Sequence, residues 1–281
     1  MLRPAFSTVA CPDWTLERVA QAAAEFRFDG VELRTFGQGK SEFACEPGLT
    51  DPSKVRRLFA DVGVQIAGMA TGVRFDAPIF PPVIGNILPQ REASVREGKR
   101  SVATASACGS RYVRVFGFEI GKKENRNAAL DRICDRLAKV CDHARNRDVT
   151  VLLENAASFP GAEDVATILD RVQSPQLGAC YDLASAHAIG ESPEEGVRIL
   201  GSAIKAVRVR DTEDGKPVPL GQGELPNREL IAALRKAGVS AWLIFTWDRA
   251  WMPHLAPAEK VLPEAAHRLW DWIGSKGVVA A

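Results

Sequence analysis

The chain has 281 residues, 46% of them hydrophobic and 25% charged, a globular composition with material for a large core. A net charge of +1 supplies no global field to draw nucleic acid or an anionic membrane surface, so neither partner is expected. The opening Met1-Leu-Arg-Pro-Ala-Phe-Ser7 lacks the apolar core of a signal peptide, and no later run approaches a membrane span; a cytoplasmic location is expected.

Apolar strand patterns and helical patterns alternate from end to end without a composition break, which predicts a parallel sheet covered by helices. A first strand around Ala5 to Ala10 leads into a helix with Leu16, Val19, Ala20, Ala23 and Phe26 on one face and Thr15 as N-cap. The second strand is Gly30 to Arg34. After a helix near Ser53 to Val62 comes a third strand, Val64 to Met69. Residues Thr71 to about Gln90 carry Pro78, Pro81, Pro82 and Pro89 and read either as a lid over a site or as a loop packed on the side. Arg111 to Gly117 is the fourth strand, followed by a helix whose Leu130, Ile133, Cys134, Leu137, Val140, Cys141 and Ala144 recur at helical spacing. The fifth and sixth strands are Val149 to Glu154 and Leu177 to Asp182, the seventh Ala206 to Asp211 and the eighth Trp242 to Asp248. Helices are expected near Ala162 to Arg171, Pro193 to Leu200, Asn227 to Ala237 and Pro263 to Ile273. About eight strand-helix units close a single (β/α)8 TIM barrel over residues 1–281, a size common for that fold.

In such a barrel the carboxyl ends of the strands line the site, and two strand patterns end in an acid, Glu154 and Asp182. Strand alternation turns Glu154 inward with Leu152 and Thr150, Asp182 with Cys180, Arg208 with Ala206, and Thr246 with Ile244 and Asp248. Glu32 shares a face with Arg34, and Arg114 with Phe116. Charges inside a barrel are costly unless paired, so these acids and arginines should form a near-neutral network. The six cysteines lack a Cys-x-x-Cys pair and read as buried thiols. With four histidines they offer no zinc cluster. His143 and His267 fall on helices, His254 in a loop, and His187 shortly after Asp182. Trp247 and Trp251 offer flat apolar surface that could serve the ring of a ligand or plain packing. Gly221-Gln-Gly223 lacks the strand-and-helix context of a dinucleotide loop and reads as a turn.

Five segments in order, Gly30-Val-Glu-Leu33, Leu153-Glu-Asn155, Tyr181-Asp-Leu-Ala-Ser-Ala-His187, Val207-Arg-Val-Arg-Asp211 with Leu220-Gly-Gln-Gly223, and Thr246-Trp-Asp-Arg249 with Trp251-Met-Pro253, resemble the sugar phosphate isomerase/epimerase family, the barrels similar to xylose isomerase and to ketose 3-epimerases. The resemblance implies a divalent metal held by Glu and Asp ending the fifth and sixth strands, a His in the seventh and a Glu in the eighth. Glu154 and Asp182 match that pattern, whereas Arg208 stands where His is usual and Thr246-Trp-Asp248 where Glu-Trp-Glu is usual. Arginine has only donors and stays protonated, so it cannot ligate a metal. No tightly bound cofactor is therefore expected, and any manganese, magnesium, cobalt or zinc would be weakly held on Glu154 and Asp182.

The resemblance implies an isomerase, an epimerase or a related lyase that moves a proton next to a carbonyl of a small polyhydroxylated substrate, a sugar or sugar phosphate. Glu154 and Asp182 are the expected catalytic pair, with Glu32, Arg114, His187, Arg208 and Asp248 binding substrate. An alternative reading is a non-catalytic barrel that binds a sugar-like ligand or a partner. The repair endonucleases of the same barrel group need a His-rich zinc cluster and a basic face, which four histidines and a charge of +1 oppose. The oligomeric state is not readable from the sequence.

Overall fold

Eight of the apolar runs pair side by side, each parallel to its neighbour, until the last closes on the first. A computed structural model describes residues 1–37, 42–77 and 92–274. The strands are β1 (Leu2–Ser7), β2 (Gly30–Arg34), β3 (Gln65–Arg74), β4 (Tyr112–Phe116), β5 (Thr150–Glu154), β6 (Leu177–Asp182), β7 (Ile204–Val209) and β10 (Ala241–Phe245); β8 (Asp211–Glu213) and β9 (Lys216–Val218) form a separate hairpin. The closed barrel runs β1-β10-β7-β6-β5-β4-β3-β2.

Outward-facing strand residues such as Val31, Leu33, Val113, Val151, Leu153, Val207 and Leu243 pack under the surrounding helices in one continuous core. Inside the barrel a second, smaller cluster forms from Ala5, Ala67, Leu152, Cys180, Ala206, Trp242 and Ile244. This is the parity that strand alternation predicts, and it fills the barrel floor. The charged side chains stand on top of that apolar plug.

The helices are α1 (Leu16–Glu25), α2 (Pro52–Asp61), α3 (Ala93–Cys108), α4 (Arg126–Ala144), α5 (Ala162–Val172), α6 (Leu183–His187), α7 (Pro193–Leu200), α8 (Asn227–Lys236) and α9 (Ala258–Ile273). Thr15 caps α1 as expected, its side chain accepting the Arg18 N–H at 3.3 Å. All six cysteines are buried and free.

Several boundaries differ from the sequence reading. The first strand lies earlier, at Leu2–Ser7, because Thr8–Ala10 coil into a short 3-10 turn. The third extends to Arg74, and the eighth ends at Phe245, leaving Thr246 and Asp248 on the loop beyond it. Helix α3 has no counterpart in the sequence reading. Its buried face is Val95, Gly98, Val102, Ala105 and Cys108, mostly small residues that give little hydrophobic signal. A Cβ at Gly98 would come within 2.9 Å of Val140 Cγ2, so the glycine permits close approach of α3 to α4. Of the lid candidate, Thr71 to Arg74 belong to β3, while residues 78–91 lie outside the described residues.

Candidate active site

Seven of the barrel's strands deliver charge or hydroxyl groups to one mouth, from the strands themselves or from the residues just beyond them. A cavity of about 310 Å3 opens there, lined by Ser7, Val9, Arg34, Arg114, Phe116, Glu154, Asp182, Arg208, Arg210, Thr246, Asp248 and Trp251. Its size is near the lower end of small-molecule pockets, about 300–1,000 Å3. A larger cavity, about 760 Å3, lies where the strands begin, around Arg3, Gln65, Tyr112 and Trp242. No Asp, Glu or His lines that one, and barrel enzymes work at the opposite face.

At the centre of the mouth, Arg208 is 4% exposed and spans two carboxylates. Its Nε donates to Glu154 Oε2 at 2.9 Å and its Nη1 to Glu32 Oε2 at 2.5 Å. Nη1 also lies 3.4 Å from Thr246 Oγ1. The Nε of Arg114 stands 3.3 Å from the same Glu154 oxygen, which also accepts the Cys180 thiol at 3.6 Å. Burial disfavours a charge on Arg208, but Glu32 and Glu154 outweigh it and hold the guanidinium firmly protonated. Burial likewise raises the proton affinity of Glu154, yet Arg114 and Arg208 together bring its pKa down to about 2. Glu154 is therefore a permanent anion at neutral pH.

Asp182 has a separate environment. It ends β6 and caps α6, Oδ1 accepting the Ala184 N–H at 2.9 Å and the Ser185 N–H at 3.4 Å. Its Oδ2 accepts from Arg210 Nη2 at 2.6 Å. Burial still lifts its pKa above the ordinary carboxylate value, against the attraction of Arg210 and with help from the nearby Glu154 charge. The two acids thus move in opposite directions.

Sequence parity finds Glu154, Asp182, Arg114, Arg208, Thr246 and Asp248 at this mouth, and all six line the cavity. Two expected substrate contacts sit elsewhere. Glu32 is 1% exposed and is not among the lining residues, because Arg208 folds over it. His187 is exposed and lies outside the lining, since α6 turns away from Asp182 and carries the imidazole to its far end. His254 is exposed as well and does not line the cavity. Trp247 is 4% exposed, its indole N–H bonded to the Ala256 carbonyl, so it packs; Trp251 is 53% exposed and lines the mouth.

Two residues at the site escaped the sequence reading. Arg210 shares the inward parity of Arg208 and pairs with Asp182, a signal available from alternation alone. Asn155, fully buried, donates from Nδ2 to the carbonyls of Asp182 at 2.9 Å and Pro160 at 2.7 Å, while its Oδ1 accepts the Asp182 N–H at 2.6 Å. It rivets the ends of β5 and β6 and so fixes the two acids relative to one another. Nothing in its neighbours' spacing reveals that contact.

A divalent ion does not fit this donor set. Glu154 and Asp182 both present their oxygens to guanidinium groups, and Arg208 adds a positive charge beside the place an ion would occupy. Among the described residues, no group of three or more His, Cys, Asp or Glu side chains is arranged to hold one.

Residues 20–271 match the family described as Xylose isomerase-like TIM barrel. Among solved structures, the chain superposes on the IOLI protein with a binding zinc atom at TM-score 0.79 and 17% identity, covering 97% of this chain and 98% of that one. It superposes on an L-ribulose 3-epimerase at TM-score 0.79 and 17% identity, covering 98% and 95%. A probable 3-DHS dehydratase, AsbF from Bacillus anthracis, matches at TM-score 0.73 and 16% identity, covering 95% and 98%. At such identities the likeness is one of fold. No curated protein matches the chain. With the match spanning most of its length and the closed eight-stranded barrel it predicts, the chain belongs to the xylose isomerase-like TIM barrel family.

Proposed function

We propose that this barrel is an enzyme that moves a proton next to the carbonyl of a small polyhydroxylated substrate, as an isomerase, an epimerase or a related lyase, with Arg208 as a fixed cation at the reacting centre. The observation that carries the reading is the seat of Arg208 between Glu32 and Glu154 at the floor of the mouth. A guanidinium held there is preorganised to stabilise negative charge that develops on a substrate oxygen when the adjacent C–H is ionised. The named epimerase and dehydratase among the fold's neighbours are consistent with that chemistry, because both reaction classes can begin with loss of a proton next to a carbonyl.

Within this proposal the two acids have different roles. Glu154, with its pKa near 2, is a weak base and serves to hold Arg208 and Arg114. Asp182, whose proton affinity is raised, is the better acceptor, and Asp248, which lines the same cavity from the loop after β10, is the candidate for a second acid-base group. Trp251 supplies an apolar wall, and bound substrate displaces water from the mouth.

One observation favours the non-catalytic alternative, a barrel that only binds a sugar-like ligand: both Glu154 and Asp182 are already engaged by arginines. Solvent exchange separates the two readings. In deuterated buffer containing a chelator, with a panel of neutral ketoses, inososes, sugar acids and sugar phosphates, the enzyme reading expects deuterium to enter the carbon next to the carbonyl of at least one compound. Asp182→Asn should abolish that exchange. Tight binding of a panel member without any exchange would support the binding-only reading and overturn the enzyme.

A further inference from the structure

We infer that Arg34 and Arg114 form a subsite for an oxyanionic substituent, a carboxylate or a phosphate, on the molecule that occupies the mouth cavity. The inference rests on the proposed site but not on its chemistry. Both residues line the cavity, and the sheet register puts them in one row: Arg34 of β2 pairs with Ala70 of β3, and Ala70 pairs with Arg114 of β4. Strands lie about 4.8 Å apart, so the two Cα atoms are separated by roughly 10 Å. The methyl of Ala70 between them leaves room for the two guanidiniums to converge on one small group.

Arg34 has no carboxylate partner among the described residues, and Arg114 shares its one carboxylate, Glu154, with Arg208. Among the described residues the Arg34 side chain gives one hydrogen bond, Nη1 to the Thr71 carbonyl at 2.7 Å, and its buried Nε has no partner there. No described carboxylate forms an ion pair with it. The stretches 38–41, 78–91 and 275–281, outside the described residues, contain no Asp or Glu. Arg114, 8% exposed, also has a buried Nε without a hydrogen-bond partner, and the oxygen it faces on Glu154 is already taken by Arg208. Half-buried Asp248 at the rim pairs with neither.

Arg210 is paired with Asp182, so the groups around Arg208 are three guanidiniums, Arg34, Arg114 and Arg208, against the two carboxylates Glu32 and Glu154, and the fourth carboxylate, Asp248, stands at the rim without pairing to any of them. Burial first, then repulsion from Arg114, lowers the pKa of Arg34 to about 10. A half-buried cation without a carboxylate partner, as Arg34 is, is under-compensated, and an arriving oxyanion relieves that cost. The planar fork of arginine suits both carboxylate and phosphate. The ring of Trp251, whose centroid lies 5.8 Å from the Arg34 guanidinium carbon, borders the same space.

Calorimetric titration of the intact chain at low salt tests this with three small probes: glycolate, inorganic phosphate, and ethylene glycol as the uncharged match for glycolate. At least one anion should bind tenfold or more tightly than ethylene glycol, and whichever of the two does so identifies the group. Arg34→Gln should erase that advantage while leaving the thermal unfolding temperature unchanged or raised, because among the described residues the side chain makes one hydrogen bond, to a backbone carbonyl, a distant contact with the exposed Trp251 ring, and no ion pair. The inference is overturned if neither anion outbinds ethylene glycol, or if the advantage survives Arg34→Gln. Failure here leaves the proton-exchange reading intact whenever neutral sugars exchange; anion binding without exchange in any sugar overturns that reading and leaves the subsite standing.

Discussion

Arg208 Nε lies 2.9 Å from Glu154 Oε2, and the same guanidinium reaches Glu32 on the second strand, so one side chain ties together β2, β5 and β7 across the barrel mouth. Removing one partner of a buried pair strands the other charges. Arg208→Ala is therefore expected to lower unfolding free energy by about 3–5 kcal/mol, read by urea denaturation. Arg208→Lys should lose less, since it keeps the charge but not the fork geometry. Unchanged stability in Arg208→Ala would mean that Glu32 and Glu154 find another counter-charge.

The opposed titration of the two acids gives a pH signature. The carboxyl of Glu154 is depressed to about 2 from an ordinary value near 4.5, so its stabilisation is present above that ordinary value and is lost as pH falls toward 2. The difference, 4.5 − 2, corresponds to a contribution on the order of 3 kcal/mol. Glu154→Gln should flatten the stability profile across that window. Asp182, raised by burial, works in the other sense: its contribution is present below its unfolded value and lost as pH rises through its folded one. Asp182→Asn should remove that decline. Chemical denaturation from pH 2 to 7 on both variants checks the signs.

Asn155 carries the alignment of Glu154 and Asp182. Two of its three side-chain bonds, both to the Asp182 backbone, are buried, so Asn155→Ala should cost roughly 1–3 kcal/mol for each buried group left unsatisfied. If the proposed chemistry holds, the exchange rate should fall with it while substrate affinity changes little. A variant with normal stability would show that water or a shifted loop replaces the amide.

Much of this architecture is legible in the sequence because barrel strands advertise themselves. Thr150 to Glu154 and Leu177 to Asp182 are short apolar runs closed by an acid, and alternation then points Glu154, Asp182, Arg208 and Thr246 inward. The reading fails where the signal is not periodic hydrophobicity. Helix α3 buries small residues, so its face is faint. Pairing partners depend on side-chain reach as well as parity: Arg208 crosses to Glu32 instead of touching its register neighbour Asp182, which Arg210 claims from one inward position further along. The site of His187 depends on where α6 turns, which no local pattern encodes.

The proximity of Arg208 and Thr246, 3.4 Å between Nη1 and Oγ1, places both altered family positions side by side. Arg208→His with Thr246→Glu replaces a cation and a hydroxyl by two ligands next to Glu154 and Asp182. That double variant should acquire measurable manganese affinity, and each single change less, because a partial ligand set leaves the ion mostly hydrated.

Arg208 as a fixed cation where the family resemblance would place a metal is open to direct measurement by calorimetric titration of the unmodified protein with manganese. No stoichiometric tight binding is expected, because Glu154 and Asp182 already face guanidinium groups. A one-to-one, tight manganese site in the unmodified chain would contradict it, showing that other residues complete a coordination sphere and that Arg208 swings aside.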